Sequence, residues 1–485
     1  MLEHIKKNIE RIKSKGATYV DTRWYPIEET NSLTMWNGNL KNNDFSRESG
    51  VGIRVLYKGA WGFSASSDLS DLEAIYNKAY DNAKIAAERV TFPVRLAEKD
   101  ALIATFNSPT KINPFEVPLA DKVAFMKEVD EMLDKPGIAQ RIASLNFVKK
   151  QIILVDSEGT EIEKNITEVF SQLQVLGLDE KGEAHTRKFT LGREGMETRG
   201  WESIRKDLFA ENADRIVSDM GQIVIAEPCP KDDRSVIILP DMMFLQTHET
   251  IGHALELDRI LGYELAFAGG SFVTLDDFGT LQYGSEKLNA RADGTLPNTP
   301  GSFGYDDDGI EASNNMLIEN GVLVGAITGR QMVEEANIKA GRQIFKESGG
   351  ANRATKFYKV PIERMTNINI DPGNDGTLDE IIANTEKGLL VSGEKSWSIG
   401  SNREQFHFAT EAGWLVEDGE VKGMVKNPTY KGDTLKFWNS LSAVGDKSTW
   451  KVAYIDNCGK GQPNQVIQLG HGVPVCRFDD VRIGE

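Results

Sequence analysis

The sequence predicts an α+β fold in which a mixed α/β N-terminal domain is followed by a β-rich C-terminal domain that carries a distorted helix. Three observations favour this architecture. Helical and strand-like patterns alternate through the first half without the regular strand–helix–strand spacing of a doubly wound sheet. Beyond residue 258 the chain is rich in glycine and strand-like segments. Its 485 residues are enough for two to four domains with a large buried core.

The N-terminal domain is expected to cover residues 1–225, with a possible subdivision near residues 93–118. Its first element is predicted to be an amphipathic helix over residues 1–16, because four apolar side chains recur on one helical stripe. These side chains are Leu2, Ile5, Ile9 and Ile12. Runs of β-branched and aromatic residues between turn signals then predict four strands. The four strands cover residues 18–24, 32–36, 52–57 and 61–64.

Helices and strands continue to alternate through the rest of this domain. An alanine-rich stretch over residues 69–89 has an apolar side and predicts a helix. The helical period returns over residues 119–133 and again over residues 201–220. Between these two helices, residues 142–191 have strand patterns, and residues 156–159 have the composition of a hairpin turn.

The C-terminal domain is expected to cover residues 226–485, because prolines and charged residues interrupt the pattern near residues 226–233. A short apolar run directly after this interruption predicts a buried strand. The predicted elements of the domain are a strand over residues 235–239, a helical segment over residues 241–258, a strand over residues 321–327 and a helix over residues 330–341.

The composition disfavours two classes of partner. The net charge is −17 and no long lysine and arginine cluster is present, whereas a nucleic-acid surface needs concentrated basic charge. No apolar run approaches the roughly 18 residues of a membrane helix, and the N-terminal stretch lacks the apolar core of a signal peptide. Three scattered cysteines do not suggest a disulfide framework. We therefore expect a cytoplasmic protein that binds neither nucleic acid directly nor a membrane.

Residues 248–253 carry the strongest functional signal, because two histidines flank a glutamate in a chain that has only six histidines. Imidazole nitrogens are good zinc ligands, and a carboxylate beside such a metal can deprotonate water. His248, Glu249 and His253 therefore predict metal-assisted hydrolysis. The common zinc-peptidase motif H-E-x-x-H places its histidines four residues apart. Here they are five apart, which on an ideal helix leaves the side chains about 140° apart.

This spacing predicts a distorted helix between Glu249 and His253. Gly252 directly precedes the second histidine and relaxes the helical constraint. A π-bulge, with its i→i+5 repeat, would bring residues five apart onto nearly one face. An undistorted helix with diverging imidazoles would contradict a metal site.

A third ligand is expected from elsewhere in the chain, because a hydrolytic zinc site usually has three protein ligands. The candidates are Glu256, Asp258, Cys458, His471 and Cys476. Cys458 lies among small, turn-forming residues, and this context favours it modestly over Glu256. Cys476 is expected to pack inside a strand, and His471 is interpreted as a residue at the rim of the site. Glu256 and Asp258 are better suited to orienting an imidazole through its other N–H group.

Residues 248–258 resemble the H-E-x-x-G-H-x-L-E-x-D signature of the TldD/PmbA family, the so-called modulators of DNA gyrase. Three further segments are similar to family patterns, and they occur in the same order along the chain. These segments are residues 52–55 with 61–63, residues 364–367 and residues 457–462. The similarity extends over nearly the whole chain.

The resemblance implies a zinc peptidase of the branch that keeps its metal motif. It implies that His248, His253 and Cys458 bind Zn²⁺. It also implies that Glu249 is the catalytic acid and base. Zinc would then be the cofactor of a metallopeptidase.

The resemblance further implies that the substrates are flexible peptides or unfolded proteins. An extended peptide could add as a strand to a sheet edge near the metal. Arg364 and Asn367 are candidates to line the path of this peptide. A two-subunit assembly is also implied, either a homodimer or a heterodimer with an inactive paralogue.

Two other classes of function stay open. A non-catalytic protein-binding or regulatory subunit would not need Glu249, whereas a zinc amidase acting on a non-peptide amide would use the same residues. The sequence also leaves open whether Glu256 rather than Cys458 completes the site. It does not determine the natural substrate or whether the chain is active without a partner.

Overall fold

A computed structural model of the chain describes residues 1–192 and 198–485. In the N-terminal half the helices are α1 (Leu2–Ser14), α2 (Leu72–Ala87), α3 (Leu119–Leu133) and α4 (Lys206–Ile223). The strands are β1 (Tyr19–Trp36), β2 (Asn39–Tyr57), β3 (Ala60–Ser66), β4 (Ile103–Asn107), β5 (Ile138–Asp156), β6 (Glu161–Leu178) and β7 (Ala184–Thr190). A short 3-10 turn, Trp201–Ser203, precedes α4.

These strands form one sheet in the order β3-β2-β1-β5-β6-β4, with β7 also paired to β6. The β4–β6 pair is parallel and the other pairs are antiparallel. Two apolar cores follow each other along the long strands. Helices α1 and α2 cover the end that includes Val55, and α3 and α4 cover the end that includes Leu145. The amphipathic stripe of α1 enters the first core, as predicted.

Two of the strands are much longer than the sequence pattern predicts. The predicted strands at residues 18–24 and 32–36 are parts of the continuous β1, and the strand predicted at residues 52–57 is only the end of β2. Residues 39–48 are mostly polar and exposed, so they lack the apolar alternation that marks a half-buried strand. Backbone pairing with β1 continues the strand there, and polar side-chain contacts such as Thr30–Ser46 accompany it. The predicted connector over residues 93–118 likewise contains β4.

The C-terminal half has five helices and sixteen strands among the described residues. Its helices are α5 (Pro240–Thr247), α6 (Leu257–Ile260), α7 (Arg330–Ala340), α8 (Leu378–Ala383) and α9 (Thr434–Asn439). Its strands are β8 (Glu227–Pro228), β9 (Asp233–Ile238), β10 (Ala290–Asp293), β11 (Asn314–Glu319), β12 (Val322–Leu323), β13 (Asn352–Arg353), β14 (Ile362–Glu363), β15 (Asn367–Ile370), β16 (Lys387–Ile399), β17 (Gln405–Glu417), β18 (Glu420–Lys426), β19 (Thr429–Asp433), β20 (Leu441–Val444), β21 (Lys451–Lys460), β22 (Gln465–Val473) and β23 (Cys476–Ile483).

The C-terminal strands form an eight-stranded sheet that closes on itself. Its order is β16-β9-β23-β19-β17-β18-β8, with β20 paired to β23, and a β16–β17 pair completes a ring. A four-stranded sheet β12-β11-β10-β15 and the pairs β13-β14 and β21-β22 lie beside it. The whole is an α+β fold, in agreement with the sequence. The predicted strand at residues 321–327 ends at Leu323, and the chain then leaves the sheet to form a bridge between Ile327 and Glu256.

No helix among the described residues is both long and apolar enough to cross a bilayer. The division into domains at residues 225 and 226 stays a prediction.

Buried ion pairs join the two halves of the chain. An aspartate run precedes β11, and Asp308 accepts a hydrogen bond of 2.7 Å from Nη2 of Arg54 on β2. Arg54 also pairs with Asp21 of β1 at 2.7 Å. Beside it, Asp307 pairs with Lys164 of β6 at 2.8 Å. All five side chains are buried, so each charge depends on its partner for compensation.

Replacing Arg54 with methionine should therefore lower the free energy of unfolding by about 3–5 kcal/mol, because two buried carboxylates lose their partner. Urea denaturation measures the change. The matched control is Lys6→Met, which removes one exposed pair with Glu161 and should have no measurable effect. Equal behaviour of the two variants would contradict this assignment.

Candidate metal centre

A single π turn places the two predicted histidine ligands on one face. Helix α5 begins directly after β9 with Pro240, whose fixed φ suits a first helical turn. The helix widens into a π turn over His248–Gly252 and then tightens into a 3-10 turn over His253–Leu255. The two imidazole centroids are 4.5 Å apart with their planes at 78°. The predicted distortion is thus present at the predicted position.

Gly252 serves the π turn in a different way from the one expected. Its backbone is in the ordinary right-handed region, with φ −55° and ψ −63°, so it is not needed for an unusual conformation. A Cβ at this position would instead overlap the sulfur of Met365. A side chain at this position would therefore have to displace the end of the Met365 side chain, which packs directly against the turn.

Cys458 joins the two histidines from a distant strand. It lies on β21 just after a bulge between Ile455 and Cys458, and a bulge redirects the side chains that follow it. Its Sγ is 3.7 Å from Nε2 of His253. One ligand atom from each of His248, His253 and Cys458 lies within 4.8 Å of the others, and all three residues are buried.

These separations fit a tetrahedral metal ion. With Zn–S of about 2.3 Å and Zn–N of about 2.0–2.1 Å, sulfur and nitrogen ligands lie about 3.6 Å apart. The observed 3.7 Å between Sγ of Cys458 and Nε2 of His253 agrees with this value. Two imidazoles and one thiol are also a donor set that suits zinc.

Burial shapes the protonation of these donors. It lowers the pKa of both imidazoles, that of His248 to about 4, so both rings are neutral near pH 7. Burial alone would raise the pKa of the Cys458 thiol, but His253 and Arg364 outweigh it, and that pKa lies below its ordinary value. Neutral imidazoles and an ionised thiol are the forms that bind a metal.

Glu249 lies on the π turn and faces a cavity. It is 93% buried by side-chain packing (7% exposed), yet it lines the cavity wall next to both histidines. Within residues 1–192 and 198–485, no hydrogen bond or ion pair engages its carboxylate. The carboxylate is therefore free to exchange a proton with a molecule in the cavity.

Glu256 orients His253, as its position in the sequence suggested. Its Oε2 accepts a hydrogen bond of 2.9 Å from Nδ1 of His253, which directs Nε2 toward Cys458. Arg259 at 2.6 Å and Lys460 at 3.1 Å flank the same carboxylate. Although burial acts to raise the pKa of Glu256, Lys460, Arg259 and His253 hold it well below its ordinary value. Glu256 is thus an ionised support for His253, and Cys458 is the residue grouped with the two histidines.

Asp258 does not contact an imidazole, in contrast to the prediction. Its Oδ1 accepts a hydrogen bond of 2.7 Å from Nζ of Lys460, and its backbone N–H donates to Glu363 at 2.8 Å. The chain turns at Glu256, where ψ is 120°, so Asp258 points away from the histidines. Asp258 is connected to Glu256 through Lys460, which pairs with both carboxylates.

His471 is fully buried rather than at the rim. It lies on β22, and its Nε2 is 2.9 Å from Nδ1 of His248. Its own Nδ1 donates to the carbonyl of Ile368 at 2.8 Å. The flanking Gly470 and Gly472 could have indicated in the sequence that His471 is buried, because glycines in a strand often mark a place that other groups approach closely.

Arg364 and Asn367 are both buried, and neither is found among the described residues that line the cavity. Nη2 of Arg364 donates to the carbonyl of Cys458 at 2.6 Å and lies 3.2 Å from its Sγ. Asn367 donates to the carbonyl of Asp293 at 2.6 Å and accepts from the N–H of Gly470 at 3.1 Å. Internal hydrogen bonds therefore occupy both side chains, and their positions give no support to a role in lining a peptide path.

The cavity in front of the histidines lies between the two halves of the chain. Its volume is about 1490 Å³, larger than the ~300–1,000 Å³ of typical small-molecule pockets. Strands β6 and β7 and helix α4 form one wall, and α5, β16 and β21 form the other. A site of this size and shape can admit a segment of polypeptide.

Three sequence models of one family match the chain in order. PmbA/TldA metallopeptidase domain 1 matches residues 27–83, the central domain matches residues 112–226, and the C-terminal domain matches residues 232–485. The last of these covers just over half of the 485 residues.

The chain belongs to the TldD/PmbA family.

Relatives of this TldD/PmbA chain match it over almost their full length. A metalloprotease of Methanocaldococcus jannaschii is 29% identical over 469 residues, with 96% of this chain and 97% of that protein covered. A protein of Saccharolobus solfataricus named zinc metalloprotease TldD homolog is 22% identical over 499 residues, with 99% of each covered. The crystal structure of TldE from Thermococcus kodakarensis has a TM-score of 0.73 at 17% identity and covers 99% of this chain and 100% of that one. The structural likeness shows a shared fold.

Replacing Gly252 with alanine should disturb the π turn, because the new Cβ would displace Met365. We expect the free energy of unfolding to fall by about 1–3 kcal/mol, together with a loss of affinity for added Zn²⁺. Urea denaturation and zinc titration measure the two effects. The control is Gly221→Ala in α4, where a Cβ meets nothing within 4 Å, so stability should stay level or rise by up to ~1 kcal/mol. Wild-type stability and zinc affinity in the Gly252 variant would show that the turn does not need the glycine.

Proposed function

We propose that this protein is a zinc-dependent peptidase that hydrolyses peptide bonds in flexible or unfolded chains. The supporting observation is the convergence of His248, His253 and Cys458 beside an unengaged Glu249 at the wall of a large cavity. The names of curated relatives support the broader class of metalloprotease.

In this proposal His248, His253 and Cys458 are the residues that would hold Zn²⁺. A bound zinc ion supplies Lewis acidity, which polarises a carbonyl and lowers the pKa of water toward ~7. Glu256 holds the ring of His253 in place, and Arg364 stabilises negative charge on Cys458. The chain provides three ligands, which leaves room for a substrate or water as in other hydrolytic zinc sites.

Glu249 acts as the general base and then as the general acid. Its carboxylate takes a proton from the attacking water and later donates it to the nitrogen of the leaving amine. Glu249 has no hydrogen-bond partner among the described residues. This suits proton transfer, because its carboxylate can gain or lose a proton without breaking an existing hydrogen bond. Its location on the same π turn as the histidines keeps it within reach of the reacting atoms.

Strand β21 supports an extended peptide as the substrate. Within the described chain, β21 forms a ladder with β22 and with no other strand, so no strand lies along its other edge. Residues 451–459 all line the cavity, and Cys458 lies near the end of this edge, which finishes at Lys460. A peptide added along it would form backbone hydrogen bonds and pass the metal centre. This edge replaces residues 364–367 as the proposed peptide path.

Two alternative functions differ from this proposal in the residues and the cavity volume that they would need. A non-catalytic protein-binding subunit gives no reason for a buried, unengaged carboxylate beside the three ligands. A zinc amidase would use the same residues, but a small amide would leave most of the cavity unfilled. Zinc itself, the two-subunit assembly and the cytoplasmic location expected from the sequence stay predictions.

Glu249→Gln should keep wild-type zinc binding and lose peptide hydrolysis by about 10²–10⁴-fold, the range for loss of a general acid–base group. Zinc content is measured by elemental analysis, and hydrolysis by mass spectrometry of an unstructured peptide mixture with and without a chelator. Full activity in the variant, or activity that resists the chelator, would contradict the mechanism. Equal cleavage of one protein in its folded and unfolded forms would contradict the substrate class.

Cys458→Ser should weaken zinc binding by more than the ~10–100-fold that loss of an outer partner costs, because the thiolate itself is removed. Competition with a chelator measures this affinity. Cys229→Ala is the matched control, since Cys229 is buried but lies outside the cluster, and its zinc affinity should equal that of the wild type. Unchanged affinity in Cys458→Ser would assign the third ligand to another residue such as Glu256.

A further inference from the structure

We propose that His471 is a positioning residue that fixes the tautomer of His248 and so leaves Nε2 of His248 as an electron-pair donor facing the metal centre. This inference deepens the proposed function and rests on it for the role of His248. No part of the sequence pattern assigned such a role to His471.

The hydrogen-bond chain that carries the proposal begins at a backbone carbonyl. The carbonyl oxygen of Ile368 can only accept, so the hydrogen of the 2.8 Å bond belongs to Nδ1 of His471. Within the described chain, the hydrogen-bond partners of His471 are this carbonyl and the imidazole of His248. A buried imidazole with no carboxylate among these partners is neutral. Its Nε2 therefore holds a lone pair.

The same logic extends to the next ring. Nε2 of His471 is 2.9 Å from Nδ1 of His248, and a lone pair there requires the hydrogen to lie on Nδ1 of His248. A neutral imidazole carries one hydrogen. Nε2 of His248 is thus unprotonated, and because Nδ1 faces His471, Nε2 is the nitrogen left to serve the group with His253 and Cys458. The opposite tautomer would block this nitrogen with a hydrogen and would bring two lone pairs together at 2.9 Å.

His471 is held too firmly to act as a ligand itself. Both of its nitrogens are engaged, and the strand on either side of it is fixed by two amide side chains of β15. Oδ1 of Asn367 accepts from the N–H of Gly470 at 3.1 Å, and Oδ1 of Asn369 accepts from the N–H of Gly472 at 2.7 Å. Asn367 therefore has a role other than substrate binding. It helps to position the ring of His471, which fixes the tautomer of His248.

The two histidine ligands are consequently oriented by different groups. Nδ1 of His253 faces the ionised carboxylate of Glu256, whereas Nδ1 of His248 faces a neutral ring. Outer partners of this kind hold a ligand ring in its orientation and set its basicity. Removal of the partner of His248 should therefore weaken metal binding without removing a ligand.

Selective ¹⁵N-histidine labelling tests the tautomer in the metal-free protein, which has only six histidines. Long-range ¹H–¹⁵N spectra of the wild type should show His248 with hydrogen on Nδ1 and none on Nε2. His248 in the opposite tautomer would overturn the proposal. This measurement needs neither metal nor activity, so it stands even if the proposed peptidase function fails.

Chelator competition with Zn²⁺ then tests the consequence. His471→Leu should bind Zn²⁺ about 10–100-fold more weakly and should lose the single tautomer of His248. His471→Gln places an acceptor oxygen near the position of Nε2 and should restore most of the affinity. His407→Leu removes a histidine of β17 that belongs to neither group of potential metal ligands in the described chain, and it should bind Zn²⁺ like the wild type.

The outcomes separate the two hypotheses. Wild-type zinc affinity in a folded His471→Leu protein would overturn the positioning role while leaving the peptidase proposal intact. A zinc affinity of folded His471→Gln about 10–100-fold below that of the wild type would also overturn it, and this comparison does not require the leucine variant to fold. Failure of the wild type to bind Zn²⁺ at all would instead remove the proposed function.

Discussion

One π turn is the constraint on which the candidate site depends. A regular α-helix would separate two side chains five residues apart by about 140°, whereas the π turn brings the rings of His248 and His253 to 4.5 Å between centroids. Such a turn is rare because it disturbs the helical hydrogen-bond pattern. Here it is held in place from outside, since Met365 packs where a side chain of Gly252 would be. The same turn also positions Glu249 at the cavity wall, so the ligands and the proposed base share one local geometry.

The elements around this turn each support a different member of the site. The segment after the turn supplies Glu256 to His253, β22 supplies His471 to His248, and the segment before β15 supplies Arg364 to Cys458. Charges buried this deeply persist only when they are paired, and Lys460 joins the two acidic residues that follow the turn. Among its described residues, the N-terminal half adds no member to the group of His248, His253 and Cys458, but it forms one wall of the cavity. Ser171 of β6 is hydrogen-bonded to Tyr454 of β21 at 3.0 Å.

Local patterns in the sequence were enough to predict the fold class, several helices and the distortion at residues 248–253, because each has a short-range physical signal. Helix α7 and the stripe of α1 follow the helical period, and an apolar alternation marks the buried ends of the long strands. Their polar continuation in residues 39–48 has no such signal, since backbone pairing and polar side-chain contacts with β1 hold it rather than apolar burial. The contacts of Arg364 and His471 were also missed. Both depend on segments about a hundred or more residues away in sequence, and nothing local in a strand shows which partner its polar side chain will meet.

Strand β21 couples the two parts of the proposed function. It places Cys458 in the candidate metal centre, and along the cavity it has an edge that pairs with no strand of the described chain. The bulge before Cys458 determines which backbone N–H and C=O groups of that edge lie beside Cys458. A peptide that adds to β21 would therefore be aligned with the metal by its backbone, and its side chains would have little part in choosing the scissile bond. Selection by backbone favours a chain that is free to extend and disfavours one whose N–H and C=O groups are already paired in a folded domain. On this reasoning the proposed peptidase would select substrates by their lack of folding rather than by their sequence.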